Sequence, residues 1–571
     1  MVASDYDNYK PDVYMIFDNP LVNQIYQMCE QDRIHKTLPV VAVVYGAWFL
    51  LILLTNWLWK RRYDNLRKKS TGKRTIFLSV LLDVLAGLVC GAGISLIYGY
   101  HYLYKNFGDV AFGTLLYHLN TPLTGTNVSS FGDIIGVVTG ILVAAILVAV
   151  LLGAILRKCR MHAGVRSFLT GAGVLCATYA AFLAYSHFEM AEYLSYVSAT
   201  PELYDDYYMD ARDVAILLQE KKRNLVFIFA ESMETTFTGK EYGGALEEDV
   251  IEPLTNLALD NVTFSEAGSV GGFVPVEGCT YTMGALVGQT AGVPINSFIV
   301  GAQNLDGNVM SEADVLPGAY TIGDILAAQG YHQEFCIGSD GRFAGRASYF
   351  RNHGNYEVYD FYSAVADEYI PDYYDDGWWG LEDWRRSDIA RNEMLELAAT
   401  GEPFNMTILT VDTHFPHGHR CKLCEESVYD LSYSNVYNCS TTRIYNIVSW
   451  LKMQDFYENT TIVIAGDHLT MDSDYITSLG IENYYRTGCF TIINPADGLE
   501  ALETDRMYTT LDIFPTTLAA LGVEIEGDRL GLWTNFFSET PTLLELYDID
   551  YLNQELQKQS GLYTKKLLYG E

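Results

Sequence analysis

Residues 460–470 read TTIVIAGDHLT. Seven mostly apolar residues end in glycine, and an aspartate and a histidine follow at once. A short, continuously apolar run bounded by polar residues reads as a strand buried on both faces. Two other stretches repeat the design. NLVFIFAES (224–232) ends in Glu231, and FNMTILTVDTH (404–414) ends in Asp412 and His414. Helical patterns lie between them, among them TIGDILAAQGY (321–331) and STTRIYNIVSWLKMQ (440–454). Buried strands alternating with helices predict a mostly parallel α/β sheet. Such sheets collect ligands beyond the carboxyl ends of their strands. The polar residues at the three strand ends should therefore converge on one edge.

The residues expected there are Glu231, Asp412, His414, Asp467 and His468. Carboxylates beside imidazole, with no thiolate, form a site for a hard divalent cation; Mn²⁺ or Mg²⁺ suits it at least as well as Zn²⁺. A single strand-end acid has a structural alternative as a helix cap. Three such ends on one edge favour chemistry.

The stretch GCTYTMGALVGQ (278–289) carries three adjacent hydroxyls before an apolar run. Read locally it is a polar loop entering a helix. Beside a divalent cation, a threonine hydroxyl becomes a usable nucleophile. A helix N-terminus also favours a bound phosphate. A threonine of this stretch, Thr280 or Thr282, could hold the metal and attack a phosphorus atom.

The N-terminal third is of another kind. Four segments are long and apolar enough to span a bilayer: 37–59, 75–98, 134–156 and 165–186. The loops at 60–74 and 157–166 are basic and are expected in the cytoplasm. The N-terminus is then outside, and everything beyond about residue 187 is extracytoplasmic. No cleavable signal is evident. Asp83, inside the second segment, is expected to anchor at the membrane interface. The loop at 112–127 is amphipathic and is expected to lie along the interface. The expected organisation is a membrane domain over 1–186, a linker with a short helix over 187–222, a catalytic domain over 223–540 and a tail over 541–571.

A net charge of −34 argues against nucleic acid as a partner. Ten cysteines include the pair in CKLC (421–424), with Cys439 nearby. A lone CxxC is weak evidence for zinc. In an oxidising compartment a disulfide from Cys439 to Cys421 or Cys424 is expected instead. His417 and His419 are expected to be solvated loop residues, and the aromatic runs at 204–208 and 371–379 surface loops.

Five blocks occur in one order: NLVFIFAES, GCTYTMGALVGQTAGVPI, SDGRFAGRASYFRNHG, TVDTHFPHG and NTTIVIAGDHLTM. Together they resemble the membrane-anchored phosphoglycerol transferases of the alkaline phosphatase and sulfatase superfamily, over about residues 220–540. The resemblance implies an N-terminal polytopic helical membrane domain and a C-terminal sulfatase-like α/β domain. It implies one divalent ion, usually manganese, held by Glu231, Thr280, Asp467 and His468, with Thr280 also the nucleophile. It places His414 at the substrate headgroup, and from there His414 is expected to protonate the leaving group. Arg346, and less firmly Asp340, would contact the substrate. The implied reaction moves phosphoglycerol from phosphatidylglycerol to a cell-envelope polysaccharide or glycerol-phosphate acceptor at the plasma membrane, through a phosphothreonine-type intermediate. Ala344 stands where the related lipoteichoic acid synthases carry tryptophan, which weakens a match to that activity. Phosphoethanolamine transfer and sulfate or phosphate ester hydrolysis are the close alternatives. A non-catalytic glycan or lipid receptor is the remote one.

Overall fold

The computed structural model describes residues 73–107, 112, 115, 132–156, 162–188, 199–219, 221–264, 269–296, 315–371, 378–423, 427–499, 505–558 and 560–570. The chain divides into two compact units. One lies within Met1–Tyr98 and Val137–Ala180, the other within Gly99–Gly136 and Ala181–Glu571.

The first unit draws on helices α1 (Lys73–Phe107), α2 (Gly132–Leu156) and α3 (His162–His187). Each contains a stretch long and apolar enough to cross a membrane: Ser79–Lys105, Ile135–Ile155 and Gly164–His187. The expected span at 37–59 and nearly all of the 112–127 loop lie outside the described residues. Asp83 is 1% exposed and ion-paired with Arg166, whose Nη2 also donates to Ser79 O at 2.8 Å. A carboxylate taken out of water needs a counter-charge, and Arg166 supplies it. Gly153 makes the room, since a Cβ there would run into the Asp83 carboxylate.

The second unit is built on seven strands: β1 (Asn224–Ala230), β2 (Gly272–Phe273), β3 (His332–Ile337), β4 (Glu357–Tyr359), β5 (Phe404–Leu409), β6 (Thr460–Gly466) and β7 (Gly488–Ile493). Their order across the sheet is β2-β7-β6-β1-β5-β3-β4. The five strands from β6 to β4 are parallel, and β7 and β2 are added antiparallel at one edge. Every residue of β1, β5 and β6 is buried. Alternate β1 side chains therefore enter different cores: Leu225, Phe227 and Phe229 on one face, Val226, Ile228 and Ala230 on the other. Helix α4 (Thr282–Ala291) packs on the first face through Met283, Leu286 and Val287. Helices α5 (Asp383–Ala399) and α6 (Ser432–Leu451) cover the second.

Three segments differ from their expected forms. The short helix of the linker, expected over DARDVAILLQEKK (210–222), does not form among the described residues there; Ile216–Leu217 instead pair antiparallel with Glu524–Ile525. Helix forms earlier, at Leu203–Tyr207, where Tyr204 of the expected surface loop is buried. Residues 541–571 are not a tail. Leu552, Leu556, Tyr563 and Leu567 enter the first core, and Tyr563 Oη donates to Pro294 O at 2.8 Å. Burying that many apolar side chains outweighs the entropy of ordering the segment.

Candidate metal and phosphoryl-transfer centre

The parallel register pairs Ala230 of β1 with Gly466 of β6, so the residues that follow leave the sheet side by side. Glu231 follows one strand, and Asp467 and His468 the other. Gly466 is required by space, because a Cβ there would meet Met233 O. Ser232 takes a left-handed backbone (φ 52°), rare for a residue with a side chain. That turn aims its N–H at Asp467 Oδ1 (2.7 Å) and its hydroxyl at Glu231 Oε1 (2.9 Å). Thr410 Oγ1 accepts from Glu231 N at 2.7 Å, and Thr413 Oγ1 donates to Glu231 O at 2.5 Å.

Glu231, Asp467 and His468 are all buried, and one ligand atom from each lies within 4.8 Å of the others. His468 Nδ1 is 2.8 Å from Leu469 O. A carbonyl only accepts, so Nδ1 carries the proton and Nε2 turns its lone pair to the cluster. Nε2 lies 3.5 Å from Glu231 Oε1 and 3.4 Å from Asp467 Oδ2. Burial and the Glu231 charge push the Asp467 carboxyl up to about 7. Burial works to lower the pKa of His468, but the Asp467 and Glu231 carboxylates outweigh it and raise it. Among the described residues, Asp467 Oδ2 is buried with no hydrogen-bond partner. Two adjacent buried carboxylates, one orphaned oxygen and an imidazole lone pair fit a divalent cation with O and N ligands.

The threonine at this cluster is Thr282, not Thr280. Thr282 Oγ1 is 3.4 Å from His468 Nε2 and 3.5 Å from Glu231 Oε2, and its side chain is buried. Thr280 is half-buried and makes no hydrogen bond to Glu231, Asp467 or His468. The reason is where the helix begins. Tyr281 is the extended N-cap residue (φ −147°, ψ 158°), and α4 starts at Thr282. The hydroxyl at the first helical position is the one that meets the strand ends.

Next to the cluster is a cavity lined by Glu231, Ser339, Arg346, Trp379, Thr410 and His414, among others. Arg346 is buried; its Nη1 donates to Ser339 Oγ at 3.2 Å, and its guanidinium lies over the Phe343 ring. The His414 ring is 4.7 Å from that of Trp379. Its Nδ1 lies 2.7 Å from Phe415 O, which fixes the proton on Nδ1 and leaves Nε2 as an acceptor. Burial pulls its pKa down to about 4, opposed by the Phe415 carbonyl and aided by His468 and Arg346. The ring is neutral at physiological pH.

Two expected members have other partners. Asp340 pairs with Arg342 (2.8 Å) and does not line the cavity. Asp412 accepts from Asp383 N at 3.1 Å, and Asp383 Oδ1 accepts from Val411 N at 2.8 Å. Asp412 thus satisfies an amide at the start of α5, as a capping carboxylate does. His417 is exposed, with Nδ1 3.1 Å from Asp472. His419 stacks on Trp378 at 5.2 Å. Cys439 is disulfide-bonded. Its Sγ is 3.4 Å from Cys421 Sγ, too far for a bond to that residue, and Cys424 lies outside the described residues.

Ser232, Glu234 and Ser339 were not singled out from the sequence, and Trp379, at the end of the run expected as a surface loop, lines the cavity instead. Glu234 is buried, accepts from Thr470 N at 2.8 Å and is ion-paired with Arg486. It pins the loop that follows His468. Its only sequence signal is a second acid three residues after Glu231.

The chain matches the sulfatase family over residues 223–523. It is 29% identical over 376 residues to phosphoglycerol transferase I of Xanthomonas axonopodis pv. citri, covering 64% of this chain and 50% of that protein. It is 30% identical over 411 residues to phosphoglycerol transferase I of Escherichia fergusonii, covering 70% and 50%. The chain thus spans about half the length of the curated relatives it matches. Among solved structures, it resembles the integral membrane lipooligosaccharide phosphoethanolamine transferase A of Neisseria meningitidis. That likeness has 12% identity and a TM-score of 0.46, over 89% of this chain and 94% of the other.

Proposed function

The chain belongs to the sulfatase family, and from that premise we propose that it transfers phosphoglycerol from phosphatidylglycerol to a hydroxyl of a cell-envelope glycan or glycerol-phosphate acceptor. The observation that carries this reading is the Thr282 hydroxyl at the first turn of α4, facing Glu231 and His468. The relatives named phosphoglycerol transferase I support the choice of donor.

Glu231, Thr282, Asp467 and His468 would hold the divalent cation, Mn²⁺ by the family resemblance. Bound there, it would supply a Lewis acid that lowers the pKa of the threonine hydroxyl and offsets phosphoryl charge. Thr282 Oγ1, its proton released to solvent, attacks the phosphorus of phosphatidylglycerol. The bond from phosphorus to the diacylglycerol oxygen breaks, and that oxygen takes a proton from water. Glycerophosphoryl-Thr282 remains. Backbone N–H groups of the first turn of α4 face the phosphoryl oxygens, and the Arg346 guanidinium offsets their charge.

In the second half-reaction an acceptor hydroxyl attacks the same phosphorus. We assign His414 Nε2 as the base that takes its proton. A ring that is neutral at rest, with its Nδ1 proton held by Phe415 O, is set to accept rather than donate. This replaces the expected role of His414 as acid to the first leaving group. The bond from phosphorus to Thr282 Oγ1 breaks, Oγ1 takes a proton from water, His414 releases its added proton to solvent, and the phosphoglycerol leaves on the acceptor. The apolar helices are proposed to hold the site at the outer face of the plasma membrane.

The test is head-group release from vesicles of phosphatidylglycerol or phosphatidylethanolamine with Mn²⁺ present. Diacylglycerol should form from phosphatidylglycerol, and Thr282→Ala should abolish it while Thr280→Ala retains it. Turnover of phosphatidylethanolamine alone would overturn the donor, and the reverse pattern of the two variants would overturn the nucleophile.

A further inference from the structure

Two elements must meet for the centre to form. Thr282 stands on α4, while Asp467 and His468 follow the end of β6. Apolar contacts through Met283, Leu286 and Val287 hold α4 against the sheet. Such contacts are non-directional, so they resist separation better than sliding. Position to within a fraction of an ångström calls for a directional bond. The structure contains such a bond between these two elements. Gln289 Nε2 donates to Gly466 O at 2.8 Å and lies 3.5 Å from Asp467 O.

Gln289 and Thr282 are spaced i, i+7, two turns apart, and so share one helix face. One end of that face meets His468 Nε2 through the Thr282 hydroxyl. The other end is tied to Gly466, the last residue of β6. Both groups facing the Gln289 amide are carbonyls, which only accept, so Nε2 must be the atom turned toward them. Its Oε1 is then buried with no hydrogen-bond partner among the described residues, and the whole side chain is 0% exposed. A buried amide with an unmatched acceptor is a poor choice for stability alone, since an apolar side chain of similar length carries no such cost. Thr290, the next residue along the helix, is also buried, but its Oγ1 is bonded to Tyr349 Oη (2.7 Å) on another element.

We propose that Gln289 is a positioning residue. It pins α4 to the end of β6 and so sets Thr282 Oγ1 against Glu231 and His468, acting through Thr282 rather than on the substrate. The inference rests on the role proposed above for Thr282 as metal ligand and nucleophile.

The test is a double-mutant cycle on the full chain in detergent, with Mn²⁺ affinity read by calorimetry. Gln289→Met keeps the length of the side chain and removes the donor. It should lower Mn²⁺ affinity by about tenfold or more, because Thr282 no longer meets the ion. In a Thr282→Ala background the same change should cost less than about twofold. Thr290→Val should lower the melting temperature yet leave Mn²⁺ affinity within about twofold of wild type. With phosphatidylglycerol vesicles, Gln289→Met should lower kcat by about 10- to 100-fold at unchanged KM. If the methionine variant lacks a native near-ultraviolet circular dichroism spectrum, Gln289→Asn, a methylene shorter and so unable to reach Gly466 O, takes its place in the cycle. Equal losses of Mn²⁺ affinity in the two backgrounds, or no loss in either, would overturn the proposal. Because the cycle reads metal binding, failure of the transfer reaction would not mimic failure of the tie.

Discussion

Ser232 provides a quantitative test of how the centre is held. Its hydroxyl donates to Glu231 Oε1 at 2.9 Å, and its amide donates to Asp467 Oδ1 at 2.7 Å. Ser232→Ala removes the first bond and keeps the second. A hydrogen bond to a charged group is worth roughly 1.5–3 kcal/mol, which converts to about 10- to 100-fold in an equilibrium constant. The lost bond leaves the Glu231 carboxylate free to turn away from His468 and Thr282, so Mn²⁺ affinity should fall by about that factor. Ser232→Gly separates the hydroxyl from the backbone. Glycine adopts the left-handed conformation without strain, which for other residues costs on the order of 1–3 kcal/mol. The glycine variant should lose as much Mn²⁺ affinity as the alanine variant, yet melt at a higher temperature. The assay is calorimetric titration of Mn²⁺ into the metal-stripped full chain, with thermal unfolding followed alongside. Unchanged Mn²⁺ affinity in Ser232→Ala would refute the reasoning, and so would full affinity in Ser232→Gly.

Asp412→Ala should destabilise the fold by about 1–3 kcal/mol through the unmatched Asp383 amide, while Mn²⁺ affinity stays within twofold or so of wild type; a large loss of metal would return Asp412 to the ligand set. Glu234→Gln should leave the partly buried Arg486 without its counter-charge and cost roughly 3–5 kcal/mol, seen as a lowered denaturant midpoint; an unchanged midpoint would deny that the pair holds the Thr470 loop. Burial, with the nearby charges of Glu393 and Glu357, raises the Glu334 carboxyl above its ordinary range. Near pH 4 it is neutral folded and unfolded, so Glu334→Gln should change nothing there. As pH rises above the unfolded value, the unfolded chain ionises while Glu334 keeps its proton, and each pH unit in that window removes about 1.4 kcal/mol of stability. The glutamine variant should therefore be more stable than wild type at pH 7.5, by thermal unfolding, and the absence of any gain would show that Glu334 is solvated.

The strand ends were legible because buried parallel strands read as unbroken apolar runs, and the first polar residue after each run marks its carboxyl end. Glu231, Asp467 and His468 stand there without ambiguity. Asp412 stands there too, but nothing local distinguishes a ligand from a carboxylate that receives the first amide of a distant helix. The start of the helix after GCT was misplaced by one residue, and the threonine at the cluster by two, for a related reason. Thr280 looks like an N-cap, the usual place for a small hydroxyl residue. The residue in that role is Tyr281, whose side chain makes no capping bond, so the usual sign of a helix start is absent. The C-terminal residues were read as a tail because their charged residues hide a sparse apolar stripe, Leu552, Leu556, Tyr563 and Leu567. Asp83 and Arg166, 83 positions apart, show the limit of reading spans singly, since the partner of a buried charge can lie on another helix.

The central claim is that Thr282 carries the phosphoryl group between donor and acceptor. The most direct measurement is peptide mapping by mass spectrometry after acid quench of the full chain with phosphatidylglycerol vesicles and Mn²⁺, without an acceptor. The account predicts a glycerophosphoryl group on Thr282, discharged when a glycan acceptor is added before the quench. Release of diacylglycerol with the adduct on Thr280, or with no adduct on any residue of 278–289, would contradict it.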